Sequence, residues 1–205
     1  MAYNRFKLKD LEEKLQLNVE KNKWLPVSFT YSASDVFLLQ QLGEAANEAL
    51  NSEKARSEFV IAPTLQALRR MNPNQFSIFS GYEFNVDKSL DLNGFCDFIF
   101  SLVPNKLSIQ SPVFCVVEAK KQDIDENAIA QCGAEMYAAQ LFNAQENHPQ
   151  KIIYGCVTTA FSWAFLKLEN KSLSIDPNYV PLTFTDPQRV LAVLQWILDC
   201  SLANK

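Results

Sequence analysis

Five consecutive apolar residues, Val113-Phe114-Cys115-Val116-Val117, run directly into Glu118-Ala119-Lys120. A run that is apolar at both parities and rich in β-branched and aromatic residues predicts a strand covered on both faces, so the chain needs a sheet with helices packed on either side. Glu118 and Lys120, at i and i+2, then share one face. A carboxylate and an amine at the point where a core strand ends need each other, a ligand or water.

The rest of the chain divides by hydrophobic period. Leu8, Leu11, Leu15 and Val19 recur at helical spacing and predict a peripheral amphipathic helix, ended by Trp24-Leu25-Pro26. Val27–Tyr31 follows as a short strand or an extended link. Ser34 is the expected N-cap of a second helix, whose face is Val36, Leu39, Leu42, Gly43, Ala46 and Leu50 and which reaches about Asn51. A third helical stretch spans Ser52 to Met71, with a kink, or two helices meeting, expected at Pro63 because its ring would clash with the carbonyl of Phe59.

Beyond Asn72-Pro73-Asn74 the period is two, and Phe76–Val86, Asn93–Val103 and Pro112–Lys120 read as three consecutive strands. Helix returns over Glu126–Ala144, its inward stripe being Ile129, Cys132, Gly133, Met136 and Tyr137. Strands follow at Lys151–Thr158 and Trp163–Leu168, with a weaker one at Ser172–Ile175. Asp186-Pro187 then supplies an N-cap and a first-turn proline for a closing helix.

This order predicts one α/β domain over residues 1–205: a helical extension (1–51), a core (52–168) and a C-terminal strand and helix (169–205). A chain of 205 residues that is 48% hydrophobic and 20% charged can bury a full core without disulfides or a metal, and is neither disordered nor collagen-like. Its apolar runs fall short of the ~20 residues that cross a bilayer. The charged N-terminus lacks the apolar core of a secretory signal, so a cytoplasmic location is expected. Five widely spaced cysteines without a CxxC are expected as buried, reduced thiols. A net charge of −4 excludes coating nucleic acid by bulk electrostatics, while a local basic groove could draw on Lys54, Arg56, Arg69, Arg70, Lys120, Lys121 and Lys151.

Gly94-Phe95-Cys96-Asp97-Phe98-Ile99-Phe100 places a lone carboxylate in the middle of an aromatic-rich strand, where propensity and burial both disfavour it. Adjacent strands lie about 4.8 Å apart, so Asp97 and Glu118 can share one divalent cation if the register aligns them. Without a cation the two would repel and one would protonate. A hard cation such as Mg²⁺ takes one or two protein carboxylates and keeps water or phosphate oxygens for its remaining positions. Lys120, on the same face, can orient or deprotonate an attacking water or steady the scissile phosphate.

Asp97 and Glu118-Ala119-Lys120 on consecutive strands, followed by a helix bearing Gln131, resemble the PD-(D/E)XK nuclease superfamily, the restriction-endonuclease-like fold. The resemblance covers roughly residues 52–168, and is nearest to bacterial and cyanobacterial proteins akin to the nuclease domain of type I restriction motor subunits. It implies an α-β-β-β-α-β core with a mixed central sheet, and Mg²⁺-dependent cleavage of nucleic-acid phosphodiester bonds, with Mn²⁺ able to replace Mg²⁺. DNA is the implied substrate, and a homodimer or a larger restriction or repair assembly the implied setting. Asp97 corresponds to the superfamily's Asp, and Glu118, Ala119 and Lys120 to its (D/E)XK triplet. Gln131 corresponds to its helical Gln, with Glu135 one turn on and Tyr137 six positions on. Glu58 looks like the acidic residue of the first core helix that completes the metal site. Cys96 stands where the motif name has Pro.

The resemblance thus implies Asp97, Glu118 and Glu58 as metal ligands, Lys120 as the residue serving the nucleophile, and Gln131 as the group positioning Lys120 or a phosphate. Gln131 and Glu135, at i and i+4, have a solvated helix face as their other reading. Glu83 alternates with apolar residues and is a further candidate ligand, and Asp123, Asp125 and Glu126 read as a solvated loop and helix start. The single His148 and the absence of glycine-rich phosphate loops exclude His-based triads and a nucleotide-driven motor. Two other functions stay open: a non-catalytic module of this fold that binds nucleic acid or protein, and a hydrolase of smaller phosphoesters.

Overall fold

All seven residues of Val113–Ala119 are buried, and the strand they form lies inside the sheet with a neighbour on each side. The computed structural model describes residues 3–30 and 35–204. In chain order its elements are α1 (Leu8–Glu13), β1 (Asn18–Lys21), α2 (Val36–Ala45), α3 (Glu53–Arg56), α4 (Ala62–Met71), β2 (Ser77–Glu83), β3 (Phe95–Ser101), β4 (Val113–Ala119), α5 (Glu126–Gln145), β5 (Ile152–Thr158), β6 (Ser162–Glu169), β7 (Ser172–Ile175), β8 (Val180–Pro181) and α6 (Gln188–Ala203). The sheet runs β1-β7-β6-β5-β4-β3-β2, with β8 against β6.

The sheet is mixed, as expected: β4 and β5 pair in parallel, as do β1 and β7, while β2–β3, β3–β4, β5–β6 and β6–β7 are antiparallel. A parallel pair needs a crossover, and α5 supplies it between β4 and β5. On one face Leu38 and Leu42, Leu65 and Leu68, and Leu194 and Leu198 pack with Phe98, Phe100, Val117 and Phe165. On the other, α5 packs with Ile99, Val116, Val157 and Leu166. Among the described residues no helix is long and apolar enough to cross a membrane. All five thiols are free, and Cys96, Cys115, Cys132 and Cys156 are buried.

The N-terminal arm differs from the expected peripheral helix. Only Leu8–Glu13 is α-helical; Gln16 takes φ 57°, and Asn18–Lys21 becomes an edge strand paired with Ser172–Ile175. Tyr3, Phe6, Leu11 and Leu15 are buried against α5, so that helix is enclosed from both sides and is buried continuously from Ala128 to Ala139. Its burial therefore exceeds the stripe its sequence period suggests.

Ser34, the expected cap, lies outside the described residues; Asp35 is the N-cap of α2, its Oδ1 accepting from the Leu38 N–H at 2.9 Å. The buried face of α2 is Leu38, Leu42 and Ala45, one step from the predicted stripe, and Val36 is exposed. Pro63 produces a π-turn over Ser57–Ile61, where the Ala62 N–H reaches back to the Ser57 carbonyl; this wider turn accommodates the ring within a continuous helical path. At the closing helix Pro187 itself is the N-cap in place of Asp186.

At Gly155 the sheet approaches α5 closely. A Cβ there would collide with Met136 Sδ and come within 2.9 Å of Cys132 Sγ. Gly155→Ala is expected to destabilise the protein by about 1–3 kcal/mol through overpacking, measured as a lower midpoint in urea unfolding with an unchanged slope.

Candidate active site

Pairing between β3 and β4 ends at Phe98↔Val117. Just beyond it the Ala119 N–H donates to Asp97 Oδ2 at 2.7 Å. The mid-strand carboxylate thus takes the place of a main-chain partner where the two strands part, and it is held at the end of the sheet beside Glu118.

Glu118 follows Val117 on β4, only 3% exposed. Its Oε1 accepts from Lys120 Nζ at 2.5 Å, and Oε2 is buried without a hydrogen-bond partner. Lys120 is fixed at its backbone by donation from its N–H to the Thr158 carbonyl at the end of β5 (2.8 Å), and its Nζ also donates to Gln131 Oε1 at 3.1 Å. Gln131 Nε2 in turn donates to Glu135 Oε1 at 3.1 Å. Both helix residues are buried, Glu135 completely, so the solvated-face reading is overturned: the N-terminal arm closes the side of α5 that would otherwise meet water.

The electrostatics follow from this enclosure. Burial pushes the Glu118 carboxyl up to about 8, helped by the nearby Asp97 charge and opposed by Lys120. Asp97 is also raised by burial, against the pull of the Ala119 N–H and Lys120. Burial favours the neutral amine of Lys120, but Glu118, Glu53 and Asp97 together outweigh it and the ammonium titrates above its ordinary value. Lys120 is therefore a fixed cation at neutral pH.

A further helical acid coupled to this charge cluster is Glu53. Burial raises its carboxyl, while Lys120 lowers it, Asp97 raises it and the Lys121 backbone N–H lowers it. Ser52 caps α3 by accepting from the Ala55 N–H, which sets Glu53 in the first turn facing the strand ends. Glu58 is half-exposed and pairs with Lys54 at 2.9 Å. Both acids line a cleft of about 260 Å³ that also includes Lys54, Ser57, Ser80, Gly81, Asp97 and Ala119. The structure therefore adds Glu53 to the acids of the first core helix. The signal for it was available in Ser52-Glu53, a capped helix start five residues upstream of Glu58. Glu83 is exposed and pairs across from Phe95, outside the cleft lining.

The expected basic groove is reduced. Arg56 donates to the carbonyls of Leu50, Lys121 and Thr159, tying α3 to the loops that follow β4 and β5. Arg70 pairs with Asp35 at 2.9 Å, and Arg69 donates to Asn105 Oδ1 at 3.1 Å. Lys121 and Lys151 are exposed. A larger cavity of about 700 Å³, between Pro26–Thr30, Asn72 and α6, shares no residue with the cleft and brings no pair of carboxylates together.

Among the described residues no three His, Cys, Asp or Glu side chains are grouped to hold a metal ion. Two facing carboxylates, one with an unpartnered buried oxygen, nevertheless suit a hard cation that keeps water or phosphate oxygens in its other positions. The molecule is thus a mixed α/β protein with a carboxylate and ammonium cluster at the ends of adjoining strands. No protein-family model matches the chain, and no curated protein is significantly similar to it.

Proposed function

We propose that this chain is a metal-dependent nuclease of the restriction-endonuclease-like fold, hydrolysing phosphodiester bonds of nucleic acid, DNA foremost. The observation that carries the reading is the convergence of Asp97, Glu118 and Lys120 at the end of β3 and β4, with Glu118 Oε2 buried and unpartnered. The element order from α3 and α4 through β2, β3, β4, α5 and β5 agrees with the α-β-β-β-α-β core that the sequence resemblance implies.

In this reading Asp97 and Glu118 would hold Mg²⁺ or Mn²⁺, which when bound supplies positive charge to a scissile phosphate and acidifies a coordinated water. Glu53 and Glu58 flank that position across the cleft. The Ala119 N–H holds Asp97 in place by one oxygen. Lys120 acts as a cation: its ammonium, which titrates above its ordinary value among the site's carboxyls, stabilises the negative charge that builds on the phosphate. Gln131 sets the direction of that ammonium through its amide oxygen.

The purified full chain is expected to cut DNA in Mg²⁺ or Mn²⁺ and to stop in EDTA, assayed on single-stranded, double-stranded and branched DNA and on RNA. A protein that binds Mn²⁺ but cuts none of these substrates would instead be a binding module that keeps the site.

A further inference from the structure

Glu135 is a fully buried carboxyl joined to Lys120 through Gln131, and a local account of stability does not explain it. Its Oε1 accepts from Gln131 Nε2 at 3.1 Å, its Oε2 has no partner, and Cys96 and Cys132 lie in the same buried surroundings. An orphaned buried oxygen costs stability that an apolar residue of similar volume would not. What the carboxyl does accomplish is directional. A glutamine amide has two nearly isosteric ends, and only the oxygen can accept from an ammonium. With its Nε2 committed to Glu135, Gln131 must present Oε1 to Lys120 Nζ, which it does at 3.1 Å. The reversed amide would set its N–H groups against the Lys120 charge.

We infer that Glu135 is a positioning residue, which fixes the polarity of the Gln131 amide and so aims the Lys120 ammonium alongside Glu118. The inference rests on the nuclease reading for its consequence in catalysis, but not for its geometry.

Two substitutions separate this from a packing role. Glu135→Val removes the acceptor with little change in volume, and Glu135→Gln keeps an amide oxygen for Gln131 to donate to. In Mg²⁺, Glu135→Val is expected to lower kcat about tenfold with KM nearly constant, as for the loss of one hydrogen bond, and Glu135→Gln to recover most of that loss. The melting temperature of Glu135→Val should stay close to that of the wild type, because loss of the orphaned Oε2 offsets the Gln131 N–H left without an acceptor. By NMR, the Gln131 side-chain NH₂ should exchange with solvent about tenfold faster in Glu135→Val than in wild type or Glu135→Gln. Equal exchange in all three, or equal loss of kcat in both variants, would overturn the positioning role. Wild-type protein that cleaves nothing would sink the nuclease reading, and the exchange comparison would still decide the role of Glu135.

Discussion

Glu118→Gln and Asp97→Asn are each expected to lower Mg²⁺-dependent cleavage by about a thousandfold or more. Each removes the negative charge that would hold the cation while keeping the side chain's shape, and among the described residues no three acidic, His or Cys side chains are grouped to hold a metal in its place. Lys120→Ala should abolish turnover to a similar extent with a different signature. Its ammonium serves the phosphate and does not ligate the cation, so Mn²⁺ affinity measured by calorimetry should stay within a fewfold of wild type, whereas both carboxylate variants lose it. Cleavage that survives Glu118→Gln at wild-type rates would remove the site from consideration, and wild-type Mn²⁺ affinity in Asp97→Asn would place the cation elsewhere.

Between pH 5 and pH 9 the metal-free protein should lose thermal stability. The Glu118 carboxyl, ordinarily near 4.5, is pushed up to about 8 in the folded state. Between those values the folded protein holds a proton that the unfolded chain has released, so the stability of the fold falls as pH rises. The loss begins above the ordinary value and is complete once pH passes the folded one. Asp97, Glu53 and Glu135 are raised in the same direction by burial and add to the slope. The expected drop in Tm is on the order of 10 °C across the range. Glu118→Gln should flatten it and should melt higher than wild type at pH 8.5. Mn²⁺ should restore the wild type most strongly above pH 8, where it competes with fewer protons. A Tm that is constant or rises from pH 5 to pH 9 would show that Glu118 is not held neutral.

Both predictions turn on residues that could be found without coordinates because they break a local rule. Asp97 interrupts Phe95–Phe100, and Glu118 closes a run with no other polar residue; charges at such places are sites at which local and global preference conflict. Their meeting followed from strand order, since consecutive strands joined by short links pair as neighbours. Gln131 was reachable only by resemblance, because a glutamine on a helix between Ala130 and Cys132 carries no local conflict. Glu135 looked equally suited to water, and its enclosure depends on an arm more than a hundred residues away in the chain. The cations illustrate the converse: Lys54, Arg56, Arg69 and Arg70 form a basic cluster in sequence, yet Asp35, Glu58, Asn105 and four main-chain carbonyls engage them.

Hydrophobic period and turn chemistry determined the strands from Ser77–Glu83 to Ser172–Ile175, and the helix over Glu126–Gln145, because each depends on interactions within a few residues. Only the tertiary structure decided that Asn18–Lys21 pairs with that last strand, that the N-terminal arm seals α5, and that Glu53 shares the cleft with Glu58. Those outcomes depend on which distant surface each segment covers. The same enclosure removes water from Glu118 and Glu135, and desolvation, which no stretch of sequence specifies, is what raises their carboxyls.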